Sequence, residues 1–232
     1  ASLVKIMTLY ILFDYLEKNM IYLNTKMKVS DVAASRSPSK LYLKPESTIS
    51  VENAIMALIV KSANDVATVV AEHISGTERD FAKLMTKYAK KIGMTNTTYK
   101  NASGLPNRAQ LTTARDISVL SHALILNFPD DYKLFTKKTF VWQEKTYKNH
   151  NKLMKSYEGA DGIKTGYIKA SGFQLAFSAV RQNKRLIGIY FGGDTGKQRD
   201  KSLAFLMDKE FGELNLNSIK VKQKKQNTGN YK

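Results

Sequence analysis

Between Leu3 and Leu16 apolar side chains fall on nearly every face of a helix: Leu3, Ile6, Met7, Tyr10, Leu12 and Phe13 leave no broad polar stripe. A helix of that kind has to be surrounded, so the pattern predicts a helix over residues 2–18 that crosses the centre of a domain. The apolar run from Ile6 to Phe13 is too short to span a bilayer and lies between Lys5 and Asp14, which supports burial in protein rather than lipid. Two polar residues, Ser2 and Lys5, stand three apart at its start and so share one face, one turn apart.

Downstream, Ser50 is a plausible N-cap for a helix reaching about Lys61, and the pattern breaks at Ser62-Ala63-Asn64 before resuming from Asp65 to Ile74. A further helix is expected from about Glu78 to Ile92, ended by Gly93, and another over 113–126. The Ser-rich run from Ala34 to Lys40, with Pro38, reads as a surface loop, and Met94 to Thr112 as a long polar loop of a length often tied to function. Residues 162–168, 173–181 and 185–191 read as strands, the last two joined as a hairpin through 182–184, and a helix follows over 197–211. Helices first and an antiparallel sheet near the end make the fold class α+β. Three strands form a thin sheet for this many helices, so further strands are expected ahead of residue 1.

The 232 residues carry 37 Lys and Arg against 20 Asp and Glu, a formal charge of +17. Only seven of the cations are Arg, and Lys is the weaker residue for bidentate base or phosphate contacts, so nucleic-acid binding is not expected; a basic surface facing anionic polymers or lipid is. Five lysines and no acid lie between Ile219 and Lys232. With no cysteine there is no disulfide, thiolate metal site or cysteine nucleophile, and His73, His122 and His150 lack the paired spacing of metal hydrolases. No metal and no cofactor are expected.

Three short patterns could carry chemistry. Ser2 and Lys5 could be a nucleophile and its base, since a serine needs a proton acceptor and a lysine serves as one when burial or a second cation lowers its pKa. Ser62 and Asn64 could relay a proton and orient a carbonyl and Lys5; equally, Asn64 could simply cap the following helix. Lys164-Thr165-Gly166 could bind a carboxylate with a peptide lying close against the strand, Lys164 and Gly166 facing one side and Thr165 the other; equally, the glycine could be incidental. Each alone is weak. Together they occur in order, with about 60 residues between the first and second and about 100 between the second and third.

In that order and spacing the motifs resemble the signature of the penicillin-recognising serine enzymes. The stretches Gly93 to Leu105, Thr113 to Asp116 and Asp161 to Tyr167 are similar to the serine D-Ala-D-Ala carboxypeptidases, the low-molecular-mass penicillin-binding proteins, over residues 1–214. The resemblance implies a β-lactamase/transpeptidase-like fold, an antiparallel sheet flanked by helices, with its N-terminal strands missing from this sequence, and a separate basic, flexible tail at 215–232. It implies removal of the terminal D-Ala from peptidoglycan stem peptides through an acyl-enzyme on Ser2. Lys5 accepts the proton, and Ser62 relays it to the leaving amine while held by Lys164, whose charge depresses the Lys5 pKa. Asn64 positions the substrate amide, and the N–H groups of Ser2 and Tyr167 form the oxyanion hole. Thr165 with Lys164 binds the terminal carboxylate, Gly166 lets the peptide approach, and His150 is the nearest match to a further carboxylate-binding residue. β-Lactams are implied as covalent inhibitors, and the implied location is the periplasm or outer face of the cytoplasmic membrane, with possible membrane-surface association. Two rivals are a serine β-lactamase, against which no glutamate occurs between Asp80 and Gln143, and a non-catalytic wall-binding protein on the same fold.

Overall fold

A computed structural model describes the backbone of residues 1–227 and the side chains of residues 1–214. Helix α1 (Val4–Glu17) is the centre of the molecule, with every residue from Val4 to Phe13 buried. Ser2 precedes it in a tighter turn, in which the Val4, Lys5 and Ile6 N–H groups donate to the carbonyls three residues back, on Ala1, Ser2 and Leu3. Burying a helix that is apolar all round also buries its polar residues Lys5 and Thr8 completely.

Around α1 the chain lays down β1 (Lys26–Lys28), α2 (Asp31–Ala34) and β2 (Thr48–Ser50), β1 and β2 pairing antiparallel. Ser50 then caps α3 (Val51–Met56) by accepting from the Asn53 N–H, as its position before an apolar run predicts. The helix does not continue regularly to Lys61: Ala57–Lys61 widens into a π-turn that ends at Ser62. Helix α4 (Asn64–Ser75) follows, then α5 (Glu78–Lys91), whose N-cap Thr77 accepts from the Asp80 N–H and whose buried stripe is Phe81, Ala82, Met85 and Ala89. The loop from 94 to 112 is held by buried Asp116, which accepts from the Asn96 N–H at 2.8 Å and Thr97 Oγ1 at 2.6 Å, on α6 (Ala114–Asn127).

After the short α7 (Pro129–Tyr132) come a hairpin of β3 (Thr139–Trp142) and β4 (Lys145–Lys148), and then β5 (Ala160–Ile168), β6 (Gly172–Arg181) and β7 (Lys184–Gly193) in an antiparallel sheet ordered β5-β6-β7. The β6–β7 turn is Gln182 and Asn183 alone, both at positive φ, one residue tighter than the sequence suggests; that backbone matches the twist of the flanking strands. Alternation along β6 sends Leu175, Phe177 and Ala179 to one face and Ala176 to the other. The first face packs on Leu203, Met207 and Phe211 of α8 (Gly196–Asn227); the second closes the core built on α1. The α+β expectation therefore holds as a helix–sheet–helix arrangement.

The backbone of α8 runs on past Phe211, where the sequence pattern ends the helix. The side chains of the basic stretch from 215, and residues 228–232 entirely, lie outside the described residues, and the expectation of a flexible tail falls there. No helix among the described residues is long and apolar enough to cross a membrane.

Candidate active site

A cleft of about 1010 Å³ opens where the turn before α1, the π-turn, the outer edge of β5 and the first turn of α8 meet. Ser2, Ser62, Asn64 and Thr165 border it, as do Gly166, Tyr167 and His150. The two lysines singled out from the sequence lie beneath its floor, Lys5 at 0% and Lys164 at 2% exposure.

Lys5 is held at three points. Its Nζ donates to Ser2 Oγ at 3.2 Å, to Asn64 Oδ1 at 2.7 Å and to the Ser103 carbonyl. The Asn64 Oδ1 and the Ser103 carbonyl can only accept, so they take the two N–H groups of a neutral amine and leave its lone pair for the Ser2 hydroxyl. Burial drives the Lys5 pKa well below the usual lysine value, and the charge of Lys164 pushes it further the same way, while Asp65 and Glu78 pull against both. A neutral amine beside a serine hydroxyl is the state in which a lysine can take the proton.

Asn64 is not the cap of its helix, because Ala63 occupies that position without a side-chain bond. Its amide is built into the site instead: the Asn64 N–H donates to the Ser39 carbonyl at 2.7 Å and Nδ2 donates to the Ser37 carbonyl at 2.8 Å, leaving Oδ1 aimed at Lys5. The Ser-rich run that reads as a simple surface loop is thus the clamp on Asn64.

Ser62 sits at φ 61° and ψ 40°, left-handed backbone reached as the π-turn closes with the Ala63 N–H donating to the Ala57 carbonyl. That conformation costs a non-glycine residue about 1–2 kcal/mol. Its Oγ is buried at the cleft wall with no hydrogen-bond partner among the described residues. The bond from Lys164 to Ser62 implied by the resemblance is not formed, because Lys164 Nζ turns to its own strand and donates to the Thr165 carbonyl at 3.2 Å. Burial, followed by the charge of Arg199, lowers the Lys164 pKa to about 7.

Strand β5 presents the third motif as its alternation predicts. Lys164 lies opposite Ala176 and Gly166 opposite Gln174, while Thr165 lies opposite Leu175 on the α8 side. Gly166 is not incidental. A Cβ there would come to 3.0 Å from the Ala1 Cβ and 3.2 Å from the Ser2 nitrogen, contacts tight enough that the serine turn would have to give by a few tenths of an ångström; glycine lets the strand run this close without that shift. Tyr167 is exposed, its ring centroid 4.3 Å from that of Phe173. His150 stands at the rim, and partial burial with the charges of Lys164, Lys61 and Lys5 holds its imidazole below its ordinary pKa, hence neutral at pH 7.

Three features escape sequence reasoning. The Ser103 carbonyl is a main-chain group and carries no side-chain signal. Gly104, at φ 85°, packs where a Cβ would overlap the Ala1 carbonyl, pressing the long loop onto the serine turn. Arg199, 5% exposed, adds a cation to the cleft wall; Nη1 donates to the Gln174 carbonyl at 3.1 Å, and Nε and Nη2 donate to Asp200. Its one mark in the sequence is a cation in the first turn of a helix, where the dipole disfavours it.

The rival reading, a serine β-lactamase of the class with this motif spacing, would activate its deacylating water with a free carboxylate near Ser2. Asp200, the one carboxylate bordering the cleft among the described residues, is paired with Arg199. Asp65 accepts from the Leu41, Leu43 and Val66 N–H groups, and Glu78 is paired with Arg36. Nor do three His, Cys, Asp or Glu side chains among the described residues gather as metal ligands.

Residues 1–195 match the Peptidase_S11 family, described as D-alanyl-D-alanine carboxypeptidase. The chain is 34% identical over 222 residues to D-alanyl-D-alanine carboxypeptidase DacF of Bacillus subtilis (strain 168), covering 92% of this chain and 56% of that protein. It is 35% identical over 206 residues to DacC of Escherichia coli (strain K12), covering 86% and 52%. The chain therefore spans about half the length of the curated relatives it matches. Penicillin binding protein 5 of Haemophilus influenzae superposes with a TM-score of 0.87 at 31% identity, over 91% of this chain and 63% of that one. Penicillin-Binding Protein D2 of Listeria monocytogenes, in its ampicillin-bound form, gives 0.79 at 30% identity over 88% and 85%. With its three motifs converging on one cleft, this chain belongs to the Peptidase_S11 family of D-alanyl-D-alanine carboxypeptidases.

Proposed function

We propose that the protein is a serine D-Ala-D-Ala carboxypeptidase that trims peptidoglycan stem peptides on the outer side of the bacterial cytoplasmic membrane. The observation that carries this reading is the buried lysine 3.2 Å from Ser2 Oγ, its amine driven toward neutrality by burial and by Lys164. Lys5 takes the Ser2 hydroxyl proton as Oγ attacks the carbonyl of the penultimate D-Ala, and the N–H groups of Ser2 and Tyr167 meet the developing oxyanion. The tetrahedral adduct collapses with cleavage of the peptide C–N bond. Ser62, whose hydroxyl has no partner among the described residues, hands its proton to the departing D-Ala nitrogen and takes in its place the proton that Lys5 received from Ser2, and water then hydrolyses the ester on Ser2.

At the leaving-group end, Thr165 and Arg199 border the cleft where the terminal carboxylate would sit, with Lys164 beneath the floor and neutral His150 at the rim. The edge of β5 beside Gly166, unpaired among the described residues, offers main-chain groups to an extended peptide. The same constellation accepts β-lactams as acylating inhibitors, which is supported by the ampicillin-bound Listeria relative. The test is release of free D-Ala from a peptide ending in D-Ala-D-Ala: release by the wild type, and none from an L-Ala-L-Ala peptide or by Ser2→Ala, is expected. Equal cleavage of the L-Ala-L-Ala peptide contradicts the assignment.

A further inference from the structure

The two acceptors that hold Lys5 besides Ser2, Asn64 Oδ1 and the Ser103 carbonyl, are carried by separate parts of the chain, and both trace back to one ion pair. Asn64 is clamped by the carbonyls of Ser37 and Ser39, in the loop that begins with Arg36. Ser103 follows Ala102, whose N–H donates to Glu78 Oε1 at 3.0 Å and whose carbonyl accepts from Thr8 Oγ1 at 2.8 Å. Arg36 Nη2 is paired with Glu78 Oε2, and Arg36 Nε donates to Thr68 Oγ1 on α4 at 3.0 Å. The Glu78 side chain is 11% exposed and that of Arg36 28%, so the pair is largely shielded from solvent.

Building on the carboxypeptidase reading, we propose that Arg36 and Glu78 are positioning residues for the catalytic lysine: the pair locks the loop holding Asn64 to the loop holding Ser103, and so fixes Lys5 Nζ against Ser2. The pair adds to ties that each loop already has, Thr8 Oγ1 to the Ala102 carbonyl and Ser39 Oγ to the Lys61 carbonyl at 2.9 Å, and it joins the two loops to each other. Thr8 and Lys5 belong to the same rigid helix, so the α1 end of the arrangement is fixed, whereas residues 35–39 and 101–104 are irregular backbone. Without the pair the two loops could shift relative to each other, and a displacement of about 1 Å at a reacting group can cost about a hundredfold in rate. Glu78 also acts through its charge. The charged groups that act on Lys5 are Lys164 on β5, Asp65 on α4 and Glu78 on α5; the two carboxylates favour the ammonium form and Lys164 opposes it.

The experiment measures the acylation rate of the full-length protein by a fluorescent penicillin across pH, for the wild type, Glu78→Gln, Arg36→Gln and Glu78→Asp, with each rate normalised to the folded fraction from thermal melts. Glu78→Gln keeps an oxygen facing the Ala102 N–H but loses the charge and the pairing. The expected result is a fall of about tenfold to a hundredfold in both Gln variants with little change in noncovalent affinity, partial rescue in Glu78→Asp, and an acidic limb displaced to lower pH in Glu78→Gln. A purely structural role lowers the melting temperature and leaves the limb in place. Rates per folded molecule within twofold of wild type with an unmoved limb in Glu78→Gln overturn the proposal. If Glu78→Gln does not fold, Arg36→Gln decides the matter: a rate per folded molecule within twofold of wild type overturns it equally. A wild type that is never acylated overturns the carboxypeptidase reading itself.

Discussion

The Nζ of Lys5 lies 2.7 Å from Oδ1 of Asn64, a bond that joins the first and second motifs beneath the floor of the cleft. It is one of three that orient the amine, and a single side-chain change removes it. Asn64→Ala should therefore slow acylation of Ser2 by about fivefold to a hundredfold, the cost of leaving a buried donor without its acceptor. Asn64→Asp should act differently. A carboxylate beside Lys5 favours the ammonium form, so the acidic limb of the pH–rate profile should move to higher pH. Stopped-flow acylation across pH distinguishes the two.

Lys164 presses on Lys5 from the strand side, and its charge favours the neutral amine. In Lys164→Gln that pressure is gone, the Lys5 pKa rises, and a smaller fraction is competent at a given pH. The limb should move to higher pH, with the loss largest below about pH 7, where Lys164 itself carries its charge. An unmoved limb would mean that burial alone sets the base.

Gly104 presses the long loop against the serine turn at a backbone angle that side chains resist. Gly104→Ala should destabilise the fold by at least about 1–2 kcal/mol from left-handed strain, before any overlap with the Ala1 carbonyl is counted. Thermal denaturation reads the loss directly, and an unchanged melting temperature contradicts the packing described for this loop.

Much of this arrangement is legible in the sequence where one physical signal dominates. Helix α1 is apolar all round, Ser50 precedes a helix that it does cap, and β5, β6 and β7 read as strands between turn residues. The three motifs place Ser2, Lys5, Ser62, Asn64 and Lys164 together because their order survives the folding of the chain between them. Elements that need tertiary support are not legible. Strands β1 and β2 have three residues each, and the β3–β4 turn puts Gln143 and Glu144 at positive φ, which neither residue advertises. The π-turn at 57–61 looks like unbroken helix until its closing residue is forced into the left-handed region. The Ser37 and Ser39 carbonyls, like that of Ser103, act through the main chain, so the residues that orient Lys5 and Asn64 are hidden behind side chains unrelated to the role.

The most direct measurement is the fate of a penicillin on the full-length protein, followed by intact mass and by mapping the labelled peptide. A one-to-one covalent adduct on the peptide containing Ser2 should form, persist long after free drug is removed, and be absent from Ser2→Ala. Rapid turnover of the drug without a lasting adduct, or labelling that survives Ser2→Ala, contradicts the assignment of Ser2 and Lys5 as the nucleophile and base of a D-Ala-D-Ala carboxypeptidase.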